Sequence, residues 1–174
     1  TSGCHRKLKD GINCKDCKSR SYKTITKFII LNHLQGNSYN GSDVIGVYPL
    51  FSNGTCRFMV FDFDNHDKGA EENDFENVDD TWIEEVEAMR EICVLNGIDP
   101  LVERSRSGKG AHIWIFFDKP IAASLVRKFG FALLDKGAEQ VNLKSFKYYD
   151  RMLPAQDSLS DNSSLGNLIA LPLQ

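Results

Sequence analysis

The sequence predicts an α/β fold of the α+β kind, in which a sheet of mixed strand direction carries helices on its faces. Two observations predict it: helical and strand-like segments alternate along the chain, and short turns between several strands favour hairpins. A chain of 174 residues, 41% of them hydrophobic, can bury a useful core in one domain. No apolar run is long enough to cross a bilayer and no signal peptide opens the chain, so we expect a cytoplasmic protein.

The first half of the chain is predicted to hold one helix and one hairpin. Residues 24–35 have helical apolar spacing, with Thr24 as N-cap and Gly36 at the C-terminal end. Residues 44–51 and 55–64 are rich in strand-forming side chains and flank a Ser-Asn-Gly turn. A hairpin is therefore expected between residues 44 and 64.

The second half is predicted to alternate helices with short strands. Apolar residues at the 3.6-residue period mark the first helix, and Pro120 is expected to begin the second. In chain order we expect a helix over 80–96, strands over 100–105 and 111–117, a helix over 120–140, and strands over 143–150 and 166–173. Large aromatic side chains are expected in the core rather than on a nucleic-acid surface, namely Trp82, Phe116, Phe117, Phe129 and Phe131.

Asp62 and Asp64 form the sharpest chemical feature, at the end of the apolar strand FMVFDFD. Side chains two apart on a strand point to the same side, so the two carboxylates converge. Such a pair repels unless it is protonated or bridged by cations, and Mg²⁺ or Mn²⁺ prefer oxygen ligands. A lone D-x-D is more often a strand end entering a solvated acidic loop, so the pair needs support from elsewhere in the sequence.

A glycine-rich basic loop, RSRSGKGAH, precedes the strand that begins near residue 111. Glycines permit close approach of the backbone, whose N–H groups can bind phosphate oxygens, and basic side chains add positive charge. Order and spacing differ from a Walker A loop. A tight hairpin turn with a solvated lysine is an equally good interpretation. The candidate nucleotide-binding residues are Arg104, Ser107, Gly108, Lys109, Gly110 and His112.

Cysteines cluster near the start of the chain, which favours a metal site over disulfides in an intracellular protein. Cys14 and Cys17 form a C-x-x-C half-site for a tetrahedral zinc ion, and Cys4 is a third candidate ligand. His5, His33 or a residue outside this sequence would complete the set. The basic residues woven through this segment would suit contact with a DNA backbone. Cys56 and Cys93 are instead expected to be small buried residues.

Taken together, these features resemble the archaeo-eukaryotic primase superfamily. The shared pattern is a D-x-D strand, an S-G-x-G-x-H segment opening a strand, a late acidic residue and a terminal LIxLP strand. Four segments look most like the primase-polymerase domains of TOTE conflict systems: CRFMVFDFDNHDKG, VERSRSGKGAHIWIFF, YYDRMLPAQD and GNLIALPLQ. The resemblance covers essentially the whole chain. It also implies a bacterial or mobile-element origin, with helicase and nuclease domains as partners in the same system.

The resemblance implies a role for each matching residue. Asp62 and Asp64 match the motif that holds the catalytic Mg²⁺ or Mn²⁺, and Asp150 best matches the third acidic position, with Asp157 as the alternative. Ser107 and His112 match the motif that contacts the incoming triphosphate, and Lys109 lies in the same loop. The family also implies an RRM-like catalytic sheet packed beside an N-terminal α/β unit. Many relatives carry a basic residue in the last strand, where this chain has Ala170-Leu171-Pro172, so that nucleotide contact is in doubt.

We therefore predict a DNA primase-polymerase that joins dNTPs or NTPs on a single-stranded or primed template by two-metal phosphoryl transfer. Residues 1–22 would form the zinc-binding segment and residues 23–174 the catalytic core, within a longer protein. One alternative is a non-catalytic, zinc-bearing nucleic-acid-binding module, which suits the basic stretch at residues 1–27. The other is a D-x-D phosphatase with an aspartyl nucleophile, which usually needs a parallel, Rossmann-like sheet.

Overall fold

The computed structural model describes residues 24–36, 43–65, 81–140, 146–160 and 166–173. Within these ranges there are three helices and six strands. The helices are α1 (Lys27–Gln35), α2 (Thr81–Leu95) and α3 (Ala123–Gln140). The strands are β1 (Gly46–Val47), β2 (Thr55–Asp64), β3 (Leu101–Arg104), β4 (Gly110–Ala122), β5 (Tyr149–Leu153) and β6 (Ile169–Ala170). No helix in these ranges is long and apolar enough to span a membrane.

The chain divides into two compact units, one of Gly46–Ile169 and one of Thr1–Ile45 with Ala170–Gln174. The predicted zinc-binding segment, residues 1–22, lies outside the described residues, so the predicted boundary after it stays a prediction. In the smaller unit, α1 begins after Thr26, whose hydroxyl accepts a hydrogen bond from the Ile29 N–H. The prediction that Thr24 caps this helix is therefore wrong, because the capping hydroxyl lies two residues later.

His33 is buried in the smaller unit and uses both ring nitrogens on the backbone. Its Nδ1 accepts a hydrogen bond from the Ile45 N–H at 3.3 Å, so its Nε2 carries the proton that it donates to the Pro172 carbonyl at 2.9 Å. A histidine bound to zinc must leave one ring nitrogen for the metal. His33 is thus occupied with holding this unit together, which disfavours it as the fourth zinc ligand.

Four strands form the central sheet of the larger unit, in the order β3-β4-β2-β5. All three pairings in this sheet are antiparallel. β1 pairs with β6 in a separate two-stranded sheet, while β2 has β4 and β5 as neighbours, so the prediction of a hairpin between residues 44 and 64 is wrong. The α+β fold class is thereby confirmed, and the four-stranded sheet is antiparallel throughout. The four-stranded sheet therefore differs from the parallel sheet that a D-x-D phosphatase usually needs.

One face of the sheet is covered by α2 and α3 and holds the main core. Alternate residues of β2 point into it, among them Met59, Phe61 and Phe63, none of which is exposed. α3 comes so close to the sheet that a Cβ at Gly130 would collide with the side chain of Met152. The opposite face carries a smaller cluster of Val60, Trp114, Leu153 and Ile169.

Several predicted elements have different boundaries in the structure. Pro120 lies within β4 instead of starting the last helix, because β4 continues to pair with the beginning of β2, where Ala122 faces Thr55. A proline is tolerated there because its fixed φ suits an extended strand and its position can dispense with an N–H donor. Three strands are shorter than predicted or shifted: those expected over 44–51, 143–150 and 166–173 are observed as Gly46–Val47, Tyr149–Leu153 and Ile169–Ala170.

The expected burial of the large aromatic residues is correct for only part of the set. Trp82 is buried and Phe117 packs against the main core. In contrast, Phe116 is 57% exposed, Phe131 46% and Phe129 37%. The prediction failed for these three because β4 and α3 each present one side to solvent, and these residues lie on that side.

Candidate active site

The two aspartates of the D-x-D motif meet the glycine-rich loop through the pairing of β2 with β4. Asp62 lies opposite His112 and Asp64 lies opposite Gly110 in an unbroken antiparallel register. The alternation along β2 therefore places both aspartates on the face that α2 and α3 do not cover. The pairing of β2 with β4 thus brings together two segments that α2 and β3 separate in the sequence.

Asp62 is buried, and the side chains of Arg151 and His112 lie beside its carboxylate. Arg151 Nε donates to Asp62 Oδ2 at 3.1 Å, and His112 Nε2 lies 3.5 Å from Asp62 Oδ1. Burial raises the pKa of Asp62 above its usual value of 3.8, while His112 and Arg151 oppose this shift and nearby Asp150 adds to it. Because burial disfavours the charged form of Asp62, a cation bound beside it would favour the ionised carboxylate.

Asp150 and Asp157, the two alternatives for the third carboxylate, have different surroundings. Asp150 lies at a break in the β2–β5 register, between the pairs Asp62 with Arg151 and Phe63 with Tyr149. The same Arg151 Nε is 3.4 Å from Asp150 Oδ2, so one guanidinium bridges Asp62 and Asp150. Asp157 instead pairs with Arg127 of α3 at 2.6 Å.

The glycine-rich loop is a tight turn braced by its own residues. Gly108 has φ +73°, a left-handed conformation that favours glycine. Arg104 donates from both Nε and Nη2 to the Gly108 carbonyl, at 3.0 and 2.8 Å, and its guanidinium lies 5.9 Å from the centre of the Trp82 ring. Arg104 pairs with Ala111, a main-core residue, so its strand position faces α2, opposite to Asp62. The structure does not bring this arginine to the aspartates.

The remaining candidate residues of the loop are exposed at its tip or pressed against β2. Ser107 Oγ accepts a hydrogen bond from the Lys109 N–H at 3.3 Å, and both residues are exposed. Gly110 is buried, and a Cβ there would collide with the Phe63 carbonyl oxygen. Glycine at position 110 is therefore required for the approach of β4 to β2, whether or not a phosphate binds nearby.

Glu103 is a site residue that the sequence interpretation missed. It lies opposite His112 in the β3–β4 hairpin, and its Oε2 is 3.2 Å from His112 Nδ1. The same oxygen accepts a hydrogen bond from Trp114 Nε1 at 3.0 Å. The signal that could have found it is the turn itself, since a hairpin centred on residues 107 and 108 pairs residue 103 with residue 112.

Metal ligands are only partly assembled in the described residues, where no group of three or more His, Cys, Asp and Glu side chains is placed to hold an ion. The carboxylates of Asp62 and Asp150 share Arg151 instead. The candidate zinc ligands Cys4, His5, Cys14 and Cys17 lie outside the described ranges. The two described cysteines, Cys56 and Cys93, are buried as expected, and burial raises the pKa of each thiol to about 11.

Comparison with known protein families agrees with this arrangement. A family described as the archaeo-eukaryotic primase domain of TOTE conflict systems matches residues 2–174. The chain belongs to this family. No match was found among curated proteins. As a primase-type domain, it has nucleotides and nucleic acid as its implied substrates, and divalent metal ions are the usual cofactors of such domains.

Proposed function

We propose that this primase domain is a DNA-directed nucleotidyltransferase, which joins dNTPs or NTPs to a 3′-hydroxyl on a DNA template. The observation that carries the proposal is the register that sets Asp62 against His112 and Asp64 against Gly110. It puts the paired carboxylates beside the loop suited to a triphosphate, on one open face of the sheet. Nucleotidyl transfer needs this adjacency, because the attacked α-phosphate lies between the metal ligands and the rest of the triphosphate.

Asp62, Asp64 and Asp150 would hold the divalent ions, Mg²⁺ or Mn²⁺. The fit is supported by the oxygen donors, which these ions prefer, and by the raised pKa of Asp62, which a cation would lower. Such ions would activate the 3′-hydroxyl and stabilise the leaving pyrophosphate. For Asp62 to bind a metal ion, Arg151, which is about half exposed, must move away from its carboxylate. We favour Asp150 over Asp157, because Asp150 shares Arg151 with Asp62, whereas Asp157 pairs with Arg127 of α3.

The loop and the start of β4 would orient the nucleotide. Ser107 and Lys109 offer a hydroxyl and an ammonium group at the exposed tip, and His112 faces Asp62 across the strands. Gly108 would leave room for close approach of phosphate oxygens to the backbone, and Gly110 would support the loop by letting β4 pack closely against β2. Arg104 would act on the nucleotide indirectly, by bracing the turn through the Gly108 carbonyl.

The rest of the proposed organisation concerns partners. Residues 1–22 would bind zinc through Cys4, His5, Cys14 and Cys17 and would contact the DNA backbone, while residues 23–174 form the catalytic core. Within a TOTE conflict system, helicase and nuclease domains would supply and process the template in the cytoplasm of a bacterium. The template would be single-stranded or primed DNA.

A second function is favoured by one specific observation. Arg151 and His112 already contact Asp62, and among the described residues no group of three or more ligands is placed to hold a metal ion. A domain that only binds nucleic acid would keep Arg151 on Asp62 permanently. It would bind DNA equally well with and without divalent metal ions.

Primer extension separates the two functions. The assay uses a short primed template with labelled dNTPs or NTPs and Mg²⁺, Mn²⁺ or EDTA. We expect metal-dependent extension that Asp62→Asn combined with Asp64→Asn abolishes, while Asp135→Asn, an exposed change on α3, leaves extension intact. Comparing Asp150→Asn with Asp157→Asn identifies the third carboxylate. Full extension by the double variant would rule out the proposed mechanism, and absent extension with metal-independent DNA binding would support the binding module.

A further inference from the structure

Glu103 is joined to two neighbours on the open face of the sheet by a single oxygen atom. Its Oε2 lies 3.0 Å from Trp114 Nε1 and 3.2 Å from His112 Nδ1. An indole nitrogen can only donate, so the Trp114 bond requires an acceptor at this place. A carboxylate offers only acceptor oxygens, and His112 must therefore carry a proton on Nδ1 to make the second bond.

Trp114 is the rigid member of this group. It is 2% exposed and lies among Val60, Leu153 and Ile169 in the smaller apolar cluster. Its ring is parallel to that of Phe116, with centroids 6.1 Å apart, and meets the His112 ring edge-on at 6.4 Å. A side chain packed in this way has little freedom to rotate, so its N–H fixes the position of the Glu103 carboxylate.

The fixed carboxylate in turn sets the direction of the imidazole. With Nδ1 bonded to Glu103, the opposite ring nitrogen Nε2 is turned towards Asp62 Oδ1, 3.5 Å away. A histidine without such a partner samples other ring rotations and either tautomer. Trp114 thus fixes Glu103, and Glu103 fixes the ring orientation of His112.

We propose that Glu103 is a positioning residue, which holds His112 so that Nε2 faces the site where the nucleotide triphosphate enters. The proposal deepens the function proposed above, because it rests on His112 as a triphosphate contact. Glu103 orients the imidazole ring through its acceptor oxygen. Its contacts are to His112 and Trp114, so it would act on the nucleotide through His112.

Two substitutions separate the acceptor from the charge. Glu103→Gln keeps one carbonyl oxygen, and the donor-only Trp114 requires that oxygen to occupy the place of Oε2. Glu103→Ala removes the acceptor and leaves His112 Nδ1 and Trp114 Nε1 without it. Glu139→Ala, on the exposed side of α3, is the matched control for loss of a carboxylate.

The first measurement needs no catalysis. The protein has four histidines, and ¹⁵N–¹H correlation of the labelled imidazoles, with His112→Gln to assign the signal, reports which nitrogen carries the proton. We expect a protected Nδ1–H for His112 in the wild type and in Glu103→Gln, and its loss in Glu103→Ala. A wild-type His112 protonated on Nε2 alone would overturn the proposal, as would an unchanged signal in Glu103→Ala.

The second measurement is steady-state primer extension. We expect the KM for dNTP to rise about tenfold in Glu103→Ala, with the KM for primed template unchanged. Glu103→Gln and Glu139→Ala should stay near wild type. Equal losses in the Gln and Ala variants would refute the acceptor role. If the imidazole signal depends on Glu103 but no variant extends a primer, the positioning holds and the proposed function is wrong.

Discussion

The two faces of the four-stranded sheet are built from alternate residues of the same strands, yet they carry opposite chemistry. On β2, Phe61 and Phe63 enter the apolar core beneath α2 and α3, whereas Asp62 between them faces the other way. The open face joins polar groups to an aromatic cluster, from Asp62 and His112 to Phe116. The face beneath α2 and α3 therefore supplies most of the apolar core, whereas the open face combines a smaller buried cluster with charged groups that cost stability.

Truncating one phenylalanine on each face should give the largest contrast. Phe61→Ala creates a cavity in a fully buried core and should lower the free energy of unfolding by about 3–5 kcal/mol. Phe116→Ala removes a side chain that is 57% exposed and should cost about 1 kcal/mol or less. Denaturant unfolding monitored by circular dichroism measures both. Equal losses would mean that the open face contributes as much to stability as the covered one.

A buried carboxylate on the covered side gives the next largest effect. Glu85 of α2 accepts hydrogen bonds from the backbone N–H groups of Lys147 and Tyr148, at 2.7 and 2.9 Å. Glu85→Ala leaves both donors without this acceptor and should cost about 2–4 kcal/mol. The exposed neighbour, Glu84→Ala, should stay within about 0.5 kcal/mol of wild type. Similar unfolding midpoints for the two variants would contradict this role.

The covered face was the easier of the two to predict. The boundaries of β2 agree with the prediction of residues 55–64, because a Ser-Asn-Gly turn and an apolar run mark them. On the open face, the convergence of Asp62 with Asp64 was predictable as well, because it follows from strand alternation alone. The predicted start of the last helix at Pro120 failed because the pairing with the distant start of β2 outweighed the local proline signal.

The partners on the open face could not be predicted, since they depend on register between distant strands. Nothing local to Asp62 indicates Arg151, which is 89 residues away. Arg104 was grouped with the loop by its sequence position, although strand alternation directs it towards Trp82. Glu103 was overlooked for the same reason, because its partners appear only when the hairpin register is applied.

The pH dependence of stability should report the free-energy cost of ionising Asp62 on the open face. The folded-state pKa of Asp62 is raised above the unfolded value of 3.8, so the native state binds more protons between these values. In EDTA, the contribution of Asp62 to stability is present in full below pH 3.8 and is lost as the pH rises through the folded-state pKa. Asp62→Asn cannot titrate and should gain in stability relative to wild type over this range.

Thermal unfolding between pH 4 and 7 measures this gain. Phe116→Ala is the matched control, because it alters the same face without a titrating group and should keep the wild-type slope. Saturating Mn²⁺ should reduce the loss in wild type, since a bound cation favours the ionised carboxylate. An Asp62→Asn curve parallel to wild type at every pH would contradict the effect of burial on Asp62.

The last prediction concerns the alkylation rate of two cysteines on the covered face. Burial raises the pKa of Cys56 and Cys93 from 9.0 to about 11, which lowers the thiolate fraction at pH 8 roughly a hundredfold. Iodoacetamide should therefore alkylate both at least that much more slowly in the native chain than in guanidinium chloride. Peptide mass spectrometry resolves each site separately from the three cysteines near the start of the chain. Alkylation at the unfolded rate would mean that water reaches the covered face, and the contrast between the two faces would then lose its physical basis.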